Sequence, residues 1–367
     1  MKNNNEMKVD ETLKVLKEND DVVWEIYERY AQQIIINKGK YGSNSHLFQV
    51  KKPLLVYSSI GKVKCDSSTT EYDLRFAGQS VGLVKVDCSG EVSLTVSESQ
   101  AKRAKEKFNF VESESFDGVG WEKDEAIAFR RFYLNNESSK KIAIKSQEHR
   151  IESEMLKEFS KRTRKEDKKL CNIQPVRLGG KFFQLTTPLK GSTHIPTISL
   201  TPQRNGATGG GIDILARVKH SARDSRLAII ELKDENRKDE SQEVAMYQAL
   251  IYATFIAGLL RSKSGKYWRY IFRDREKRHN ELRDVNDFSD FSKIKDMLSE
   301  VPDTLDLDVV TLMPKPQICE YSQEGDLSDV KIDDLNVTLH LYTLYYETDA
   351  KGNPISFSGT LKESLMK

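Results

Sequence analysis

The chain has 367 residues, a length that favours two or three domains over one. Apolar residues make up 38% of the chain, enough for a sizeable core, and charged residues make up 31%. Lys and Arg number 58 against 56 for Asp and Glu, which excludes a protein that coats nucleic acid through its overall charge. Any site for a polyanion must therefore be a local patch.

The sequence also argues against export and membrane insertion. No apolar run approaches the roughly 18 residues that span a bilayer, and the polar start is neither a signal peptide nor a transit peptide. The four cysteines show no CxxC spacing, so we expect free thiols and no zinc site. These features predict a cytoplasmic protein without membrane contacts.

An α+β, β-rich N-terminal domain is predicted for residues 1–140. Residues 7–38 are predicted to be helical, because apolar side chains recur there at four-residue spacing: Val22, Ile26, Tyr30 and Ile34. Short apolar runs with turn signals between residues 47 and 96 indicate a small antiparallel sheet or partly closed barrel. Two helices follow, within SQAKRAKEKF and WEKDEAIAFRRFYL. A polar stretch at 135–141 then marks the predicted boundary.

An α/β C-terminal domain is predicted for residues 141–367. The pattern predicts a helix in SQEHRIESEMLKEFSKRTRKEDKK, a hairpin in IQPVRLGGKFFQLTTPL, and strands in GIDILARV and RLAIIELK. A long helix is predicted for ESQEVAMYQALIYATFIAGLL and another strand for KYWRYIFR. The remainder is expected to add one short helix and two strands.

Two of these apolar strands carry ionisable groups. Asp213 lies in the first, Glu231 lies near the end of the second, and Lys233 follows two residues later. Alternation puts Ile229, Glu231 and Lys233 on one face of the strand. The short stretch KHSARDS allows antiparallel pairing, with Asp213 near Glu231 if the register permits. Two carboxylates held together at low dielectric repel each other and need a cation.

A hard divalent ion suits this pair of acids. Mg²⁺ prefers oxygen ligands and keeps several waters, so it matches one Asp, one Glu and a scissile phosphate, with Mn²⁺ as a substitute. Lys233 beside the metal could stabilise the developing phosphorane charge or hold the attacking water.

The spacing of these groups resembles a known nuclease family. Asp213, followed eighteen residues later by Glu231-x-Lys233 on the next strand, is similar to the PD-(D/E)xK superfamily with its restriction-endonuclease-like fold. The following helix contains Gln248-x-x-x-Tyr252, which resembles an element of the RecB-like branch. Four-residue spacing puts both side chains on one helix face, and in the family that face borders the active site.

The resemblance covers roughly residues 145–275, leaving 276–367 as a C-terminal extension, and the first 140 residues resemble nothing recognised. It implies a mixed central sheet flanked by helices and Mg²⁺-dependent hydrolysis of phosphodiester bonds, with DNA favoured over RNA. One departure is Ile212, which stands where many members have Pro.

In this family the first helix often adds an acid or histidine to the metal shell. Glu152 fits this role best, because it shares a predicted core-facing stripe with Met155, Leu156 and Phe159. The other candidates on the same helix are Glu148, Glu154 and, more weakly, His149.

Several features have a plainer interpretation. Gln248 and Tyr252 would also fit a buried polar pair satisfied by backbone. The glycines at 209–211 lack the Lys-Ser/Thr of a P-loop and are interpreted as a flexible approach to the active strand. DENRKDES is interpreted as a solvated loop, with a flap over the site as the alternative. The basic runs at 161–169 and 273–283 are solvated faces, or phosphate contacts if they converge beside the acids.

Two other functions remain open. A non-catalytic module that binds nucleic acid or protein could retain the fold, although the intact triple of Asp213, Glu231 and Lys233 speaks against it. The N-terminal part could read DNA, mediate homo-oligomerisation or sense a signal, with the nuclease as an effector in genome defence, by fold-level analogy. Endonuclease and exonuclease activity are both compatible with the sequence.

Overall fold

The computed structural model describes residues 2–44, 46–59, 69–135, 147–161, 168–191, 195–201, 206–236, 240–272, 298, 300–315, 326–349 and 353–365. The helices in these ranges are α1 (Asn4–Glu18), α2 (Asp20–Asn44), α3 (Glu98–Phe108), α4 (Asp124–Asn135), α5 (Gln147–Phe159), α6 (Gln242–Arg261), α7 (Gly265–Phe272) and α8 (Thr360–Ser364).

The strands of the same ranges fall into two large sheets and two small two-stranded pairs. They are β1 (Leu55–Ser59), β2 (Thr70–Phe76), β3 (Gln79–Val86), β4 (Val92–Val96), β5 (Phe116–Gly120), β6 (Ile173–Pro175), β7 (Arg177–Leu178), β8 (Lys181–Gln184), β9 (Leu189–Lys190), β10 (Thr197–Ile198), β11 (Leu200–Thr201), β12 (Gly206–Ala207), β13 (Ile214–Lys219), β14 (Ser225–Leu232), β15 (Leu305–Pro314), β16 (Val330–Ile332), β17 (Val337–Thr348) and β18 (Pro354–Ser358).

The first large sheet joins the N-terminal segment to the rest of the chain. Its order is β5-β4-β3-β2-β1-β8-β7, an open sheet in which only β1 and β8 pair in parallel. Tyr57 of β1 lies opposite Phe182 of β8, and Ser59 lies opposite Gln184. The β7–β8 hairpin therefore completes the N-terminal sheet. The predicted boundary at 135–141 lies, except for its first residue, outside the described residues.

The second large sheet is mixed and is covered by helices on both faces. Its order is β16-β17-β15-β14-β13-β6, with β18 paired to β17. β13 and β14 are antiparallel, whereas β14, β15 and β17 are parallel neighbours. Ile229 of β14 packs on the side of α6, while Ile230 packs on the side of α5 and α8. The alternating apolar residues of β14 are thus buried on both faces, as in a central strand, and the mixed α/β class is confirmed.

α6 crosses the interior beside β14 and β15. Ser241 caps its first turn by accepting a hydrogen bond from the Val244 N–H, and nearly all of its middle is buried. This helix is long and apolar enough to cross a membrane. The prediction that no apolar run approaches the length of a membrane span is therefore wrong. In the fold, 72% of its most apolar stretch is buried inside the protein, as expected for a core helix.

Three other details differ from the predicted elements. KYWRYIFR forms helix α7 rather than a strand, because Trp268, Ile271 and Phe272 reach the core at helical spacing. The strand that pairs in parallel with β14 is β15, beyond residue 275. In α2 the buried stripe includes Val23, whereas Val22 is 53% exposed.

The β2–β3 turn lies directly against α5. Gly78 at this turn has a φ of +74°, and a Cβ there would lie 2.3 Å from the His149 carbonyl oxygen. The turn therefore needs glycine twice, for its backbone conformation and for its close approach to the helix.

We predict that Gly78→Ala destabilises the protein more than Gly118→Ala does. Gly118 also has a positive φ, of +64°, but nothing lies within 4 Å of the position of its missing Cβ. The left-handed backbone should cost about 1 kcal/mol in each variant, and the clash at Gly78 about 2 kcal/mol more. Urea unfolding measures both losses, and equal losses would contradict a close contact between turn and helix.

Candidate active site

The two strand acids lie side by side at one end of the β13–β14 pair. Ile214 is opposite Ile230 in the antiparallel register, and one residue further along, Asp213 is set opposite Glu231. Asp213 Oδ2 accepts a hydrogen bond of 2.9 Å from the backbone N–H of Leu232, which fixes the carboxyl group against β14. The sequence predicts that Asp213 and Glu231 are neighbours if the register of the two strands permits it. The observed antiparallel register does permit it.

Lys233 lies at the centre of the cluster with its side chain only 4% exposed. Its Nζ donates to Glu231 Oε1 and to Gln248 Oε1, both at 3.0 Å, and lies 3.2 Å from Glu240 Oε2. Burial by itself lowers the pKa of Lys233, but Glu231 and Glu240 outweigh burial and hold it above the ordinary value. Lys233 is therefore a firmly charged ammonium that donates two hydrogen bonds and makes an ion pair with Glu240.

The surroundings of Asp213 and Glu231 disfavour the ionised form of both carboxyl groups. Burial raises the pKa of Asp213 well above its ordinary value, and repulsion from Glu231 and Glu152 adds to the effect. Burial also raises the pKa of Glu231, to about 7, although Lys233 acts in the opposite direction. Asp213 keeps partial contact with solvent at the mouth of the site. A further positive charge would relieve this strain.

Glu152 of α5 lies near Asp213, whose pKa it raises. It is 3% exposed, and among the described residues its Oε1 finds no hydrogen-bond partner; the same is true of Glu231 Oε2. Its other oxygen lies 3.7 Å from His149 Nδ1, and this interaction raises the pKa of His149. Glu154 instead pairs with Lys157 at 2.8 Å.

Glu148 acts on the cluster through its charge, since it raises the pKa of both Asp213 and Glu231. Glu148 is half-buried, whereas Glu152 is buried and one of its oxygens has no hydrogen-bond partner among the described residues, so both stay candidates for a third acid.

Gln248 and Tyr252 both face the site from α6. Gln248 accepts from Lys233, and Tyr252 is buried against the glycine segment. Burial, followed by the charge of Glu231, raises the pKa of Tyr252 to about 12. A Cβ at Gly210 would lie 1.9 Å from Tyr252 Oη, and Gly210 N–H donates to the Leu189 carbonyl at 2.7 Å. The interpretation of this glycine segment as a flexible approach is wrong, because it is a tightly packed wall.

The N-terminal sheet contributes a cation that the sequence does not reveal. Arg75 of β2 donates from Nε to Asp73 Oδ2 at 2.7 Å and from Nη2 to Gln184 Oε1 at 2.6 Å. Its guanidinium lies 4.2 Å from the centre of the Tyr57 ring. Burial tends to lower the pKa of Arg75, but Asp73, Tyr57 and Glu152 keep it above its ordinary value. Arg75 therefore adds positive charge on the Glu152 side of the cluster.

The segment after β14 also contributes residues to the site. Asp234 is only 7% exposed, and Glu240 contacts Lys233. These two residues of DENRKDES are therefore not part of a solvated loop. The middle of this segment, 237–239, lies outside the described residues, as do 162–167 and 273–283 of the two basic runs.

The donor set fits a hard divalent cation in its chemistry. Among the described residues, no group of three or more His, Cys, Asp or Glu side chains is assembled at metal-binding distances. Mg²⁺, however, needs only one or two carboxylates, with waters completing its shell. Asp213 and Glu231 can supply these, and the unpartnered oxygens of Glu231 and Glu152 are the buried acceptors that a cation would satisfy.

No protein-family model, curated protein or solved structure matches this chain. The assignment of the site therefore depends on its geometry and on the resemblance of its motif.

We predict that Asp213→Asn stabilises the protein at pH 8 by roughly 1 kcal/mol, the scale of a typical single substitution, because it removes a carboxylate that its neighbours repel. The raised pKa of Asp213 means that folding favours its protonated form. The carboxyl group therefore contributes stability that is present at low pH and is lost as the pH rises through its folded-state pKa. An amide retains the acceptor for Leu232 without the charge.

The free energy of unfolding should be measured across pH for wild type, Asp213→Asn and the exposed control Glu112→Gln. The gain from Asp213→Asn should fade as the pH is lowered, because the wild-type carboxyl group becomes neutral. A loss of stability at pH 8 would contradict the repulsion inferred for the cluster.

Proposed function

We propose that this protein is a divalent-metal-dependent nuclease that hydrolyses phosphodiester bonds, with DNA preferred over RNA. The observation that carries the proposal is the pair of carboxyl groups with raised pKa, the partly exposed Asp213 and the buried Glu231, opposed at the end of two paired strands beside the charged Lys233. In structural ion pairs the charges normally neutralise each other, whereas here the carboxyl groups outnumber the ammonium group that pairs with them.

The fold supports a restriction-endonuclease-like assignment. Helix α5, strands β6, β13 and β14, helix α6 and strand β15 occur along the chain in the order that the resemblance implies, with β7 to β12 inserted after β6 and α7 inserted after α6. The four strands are consecutive neighbours in one mixed sheet, and α5 and α6 cover opposite faces of it. The acids lie where β13 begins and β14 ends, on a rigid edge that can hold them in fixed positions.

A bound Mg²⁺ would act as a Lewis acid on the scissile phosphate and favour the ionised form of an attacking water. Asp213, Glu231 and Glu152 would hold it, because their oxygens are the hard donors directed into the site. Lys233 donates to the phosphate oxygens as negative charge grows on them in the transition state. Tyr252 and the packed glycine wall limit the entry of solvent from the side of α6.

Lys233 must exchange one of its partners to contact a phosphate. Glu231 lies on β14 and Gln248 on α6, so both are fixed by secondary structure. Glu240 lies in the segment before α6 and is 25% exposed, which makes it the exchangeable partner. In this proposal an incoming phosphate replaces the Glu240 carboxylate, and Gln248 keeps the ammonium in position.

The N-terminal sheet is proposed as a regulatory or recognition part of the same protein. Arg75 and the Gly78 turn bring this sheet into contact with α5, beside Glu152. A signal that shifts the sheet would reach the acid cluster through these contacts. This arrangement suits an effector nuclease, including one used in genome defence.

We expect wild-type protein to cut DNA with Mg²⁺ or Mn²⁺ and to lose this activity in EDTA. Linear, supercoiled and single-stranded DNA, with RNA in parallel, should be tested with wild type, Glu231→Gln and Lys233→Met. Both variants should lose about 100-fold or more in rate, the usual scale for removing a group that stabilises the transition state. Glu112→Gln should cut like wild type.

Cleavage that survives Glu231→Gln, or that proceeds equally well in EDTA, would contradict the proposal. Absence of cleavage from every protein and every substrate, together with intact folding, would favour the non-catalytic binding module.

A further inference from the structure

Two adjoining clefts open where the N-terminal sheet meets α5 and the β7–β8 hairpin. Their volumes are about 440 Å³ and about 220 Å³, and they share Val50 and Leu54 in their walls. The larger lies between the segment 46–54 and α4, and the smaller lies between β1, α5 and the hairpin. Together we call them the junction cleft.

The larger part of the junction cleft has a basic lining over an apolar floor. Lys51, Arg130 and Arg131 line it with a single acid, Glu122. Arg130 is held in place, because it donates to the Trp121 carbonyl at 2.6 Å and stacks 3.7 Å from the ring centre of that residue.

The smaller part is lined by four cations and no acid among the described residues: Lys52, Lys157, Arg177 and Lys181. Lys157 pairs with Glu154, and Arg177 donates to Ser160 Oγ at 2.6 Å. The chain as a whole is nearly neutral, with 58 basic and 56 acidic residues. The junction cleft is therefore a local basic patch of the kind that a polyanion site requires.

The junction cleft approaches the acid cluster along two elements. On β8, Gln184 lies two residues beyond Phe182 of the cleft, which is about 7 Å along the strand. A Cβ at Gly211 would lie 3.5 Å from Gln184 Nε2, so this end of β8 borders the segment that leads into Asp213. On α5, Glu152 lies five residues before Lys157, about 7.5 Å along the axis.

We propose that the junction cleft binds the phosphate backbone of DNA and leads the strand to the acid cluster. This inference rests on the proposed nuclease function, and it assigns the N-terminal sheet and α4 a share of the substrate-binding surface.

Three cations of the cleft have exposed side chains that can adjust to the phosphate backbone of bound DNA. Lys51, Lys52 and Arg131 are exposed, whereas Arg130, Lys157 and Arg177 are held by contacts within the fold. The exposed group should make most of the phosphate contacts, which carry affinity and salt dependence but not sequence preference. The cations that are held by contacts within the fold shape the cleft.

DNA is favoured over an acidic protein segment because α5, which lines the smaller part of the cleft with Lys157, also carries the buried Glu152. An acidic peptide continuing toward Asp213 and Glu231 would meet like charges, whereas a phosphodiester with its metal ion supplies the missing positive charge.

The test compares two variants with the same change in net charge. One is Lys51→Gln/Lys52→Gln/Arg131→Gln, and the matched control is Lys14→Gln/Lys17→Gln/Lys331→Gln, which alters exposed lysines of α1 and β16. Binding of labelled duplex and single-stranded DNA to the full chain is measured by fluorescence anisotropy in EDTA and in Ca²⁺ over a range of KCl concentrations. Polyglutamate serves as a competitor, and cleavage with Mg²⁺ is measured in parallel.

The cleft variant should lose about tenfold in DNA affinity for each lost contact, and its plot of log affinity against log salt should flatten by about 3. The control should bind like wild type. If wild type cuts DNA but both variants bind alike, the cleft proposal is overturned while the nuclease proposal stands. If wild type neither binds nor cuts, both are overturned, and if polyglutamate displaces DNA at lower charge concentration, DNA is the wrong occupant.

Discussion

The buried ammonium of Lys233 is the interaction on which the site depends. It is the cation within hydrogen-bonding distance of Glu231, and it also holds Gln248 and Glu240 around the same atom. Removing one partner from such a buried pair commonly costs about 3–5 kcal/mol, because the other charge is left without compensation. Even with Lys233 in place, Asp213 and Glu231 keep a raised pKa. A fold that only needed stability would gain by replacing these acids, and this is why we propose that they bind a cation.

The N-terminal sheet and the mixed sheet form one working unit around this cluster. β1 pairs with β8, the Gly78 turn contacts α5 at His149, and Arg75 adds positive charge on the side of Glu152. The junction cleft lies along the same contact. In the proposed nuclease, the packing of α5 against the N-terminal sheet would let a change in that sheet alter the position of Glu152.

Much of the site can be predicted because its signals are local. The alternation of RLAIIELK puts Glu231 and Lys233 on one face, and helical spacing puts Gln248 and Tyr252 on another. The contacts of Arg75 depend on tertiary pairing between distant segments, so no local pattern reveals them. α7 escaped prediction as a helix because a short apolar run fits helix and strand equally well. The glycine segment was misinterpreted for a related reason, since only the Tyr252 ring beside it shows that glycine serves close packing there.

The most direct test of the account is a calorimetric titration of the full chain with Mn²⁺ near pH 7 in buffers of different ionisation enthalpy. One ion should bind with release of protons, because Glu231 has a pKa of about 7 and Asp213 holds its proton more tightly than usual. Asp213→Asn should abolish that binding, and Glu152→Gln should weaken it. No heat of binding in wild type, or a heat of binding unchanged by Asp213→Asn, would contradict the claim that Asp213 and Glu231 hold a metal ion.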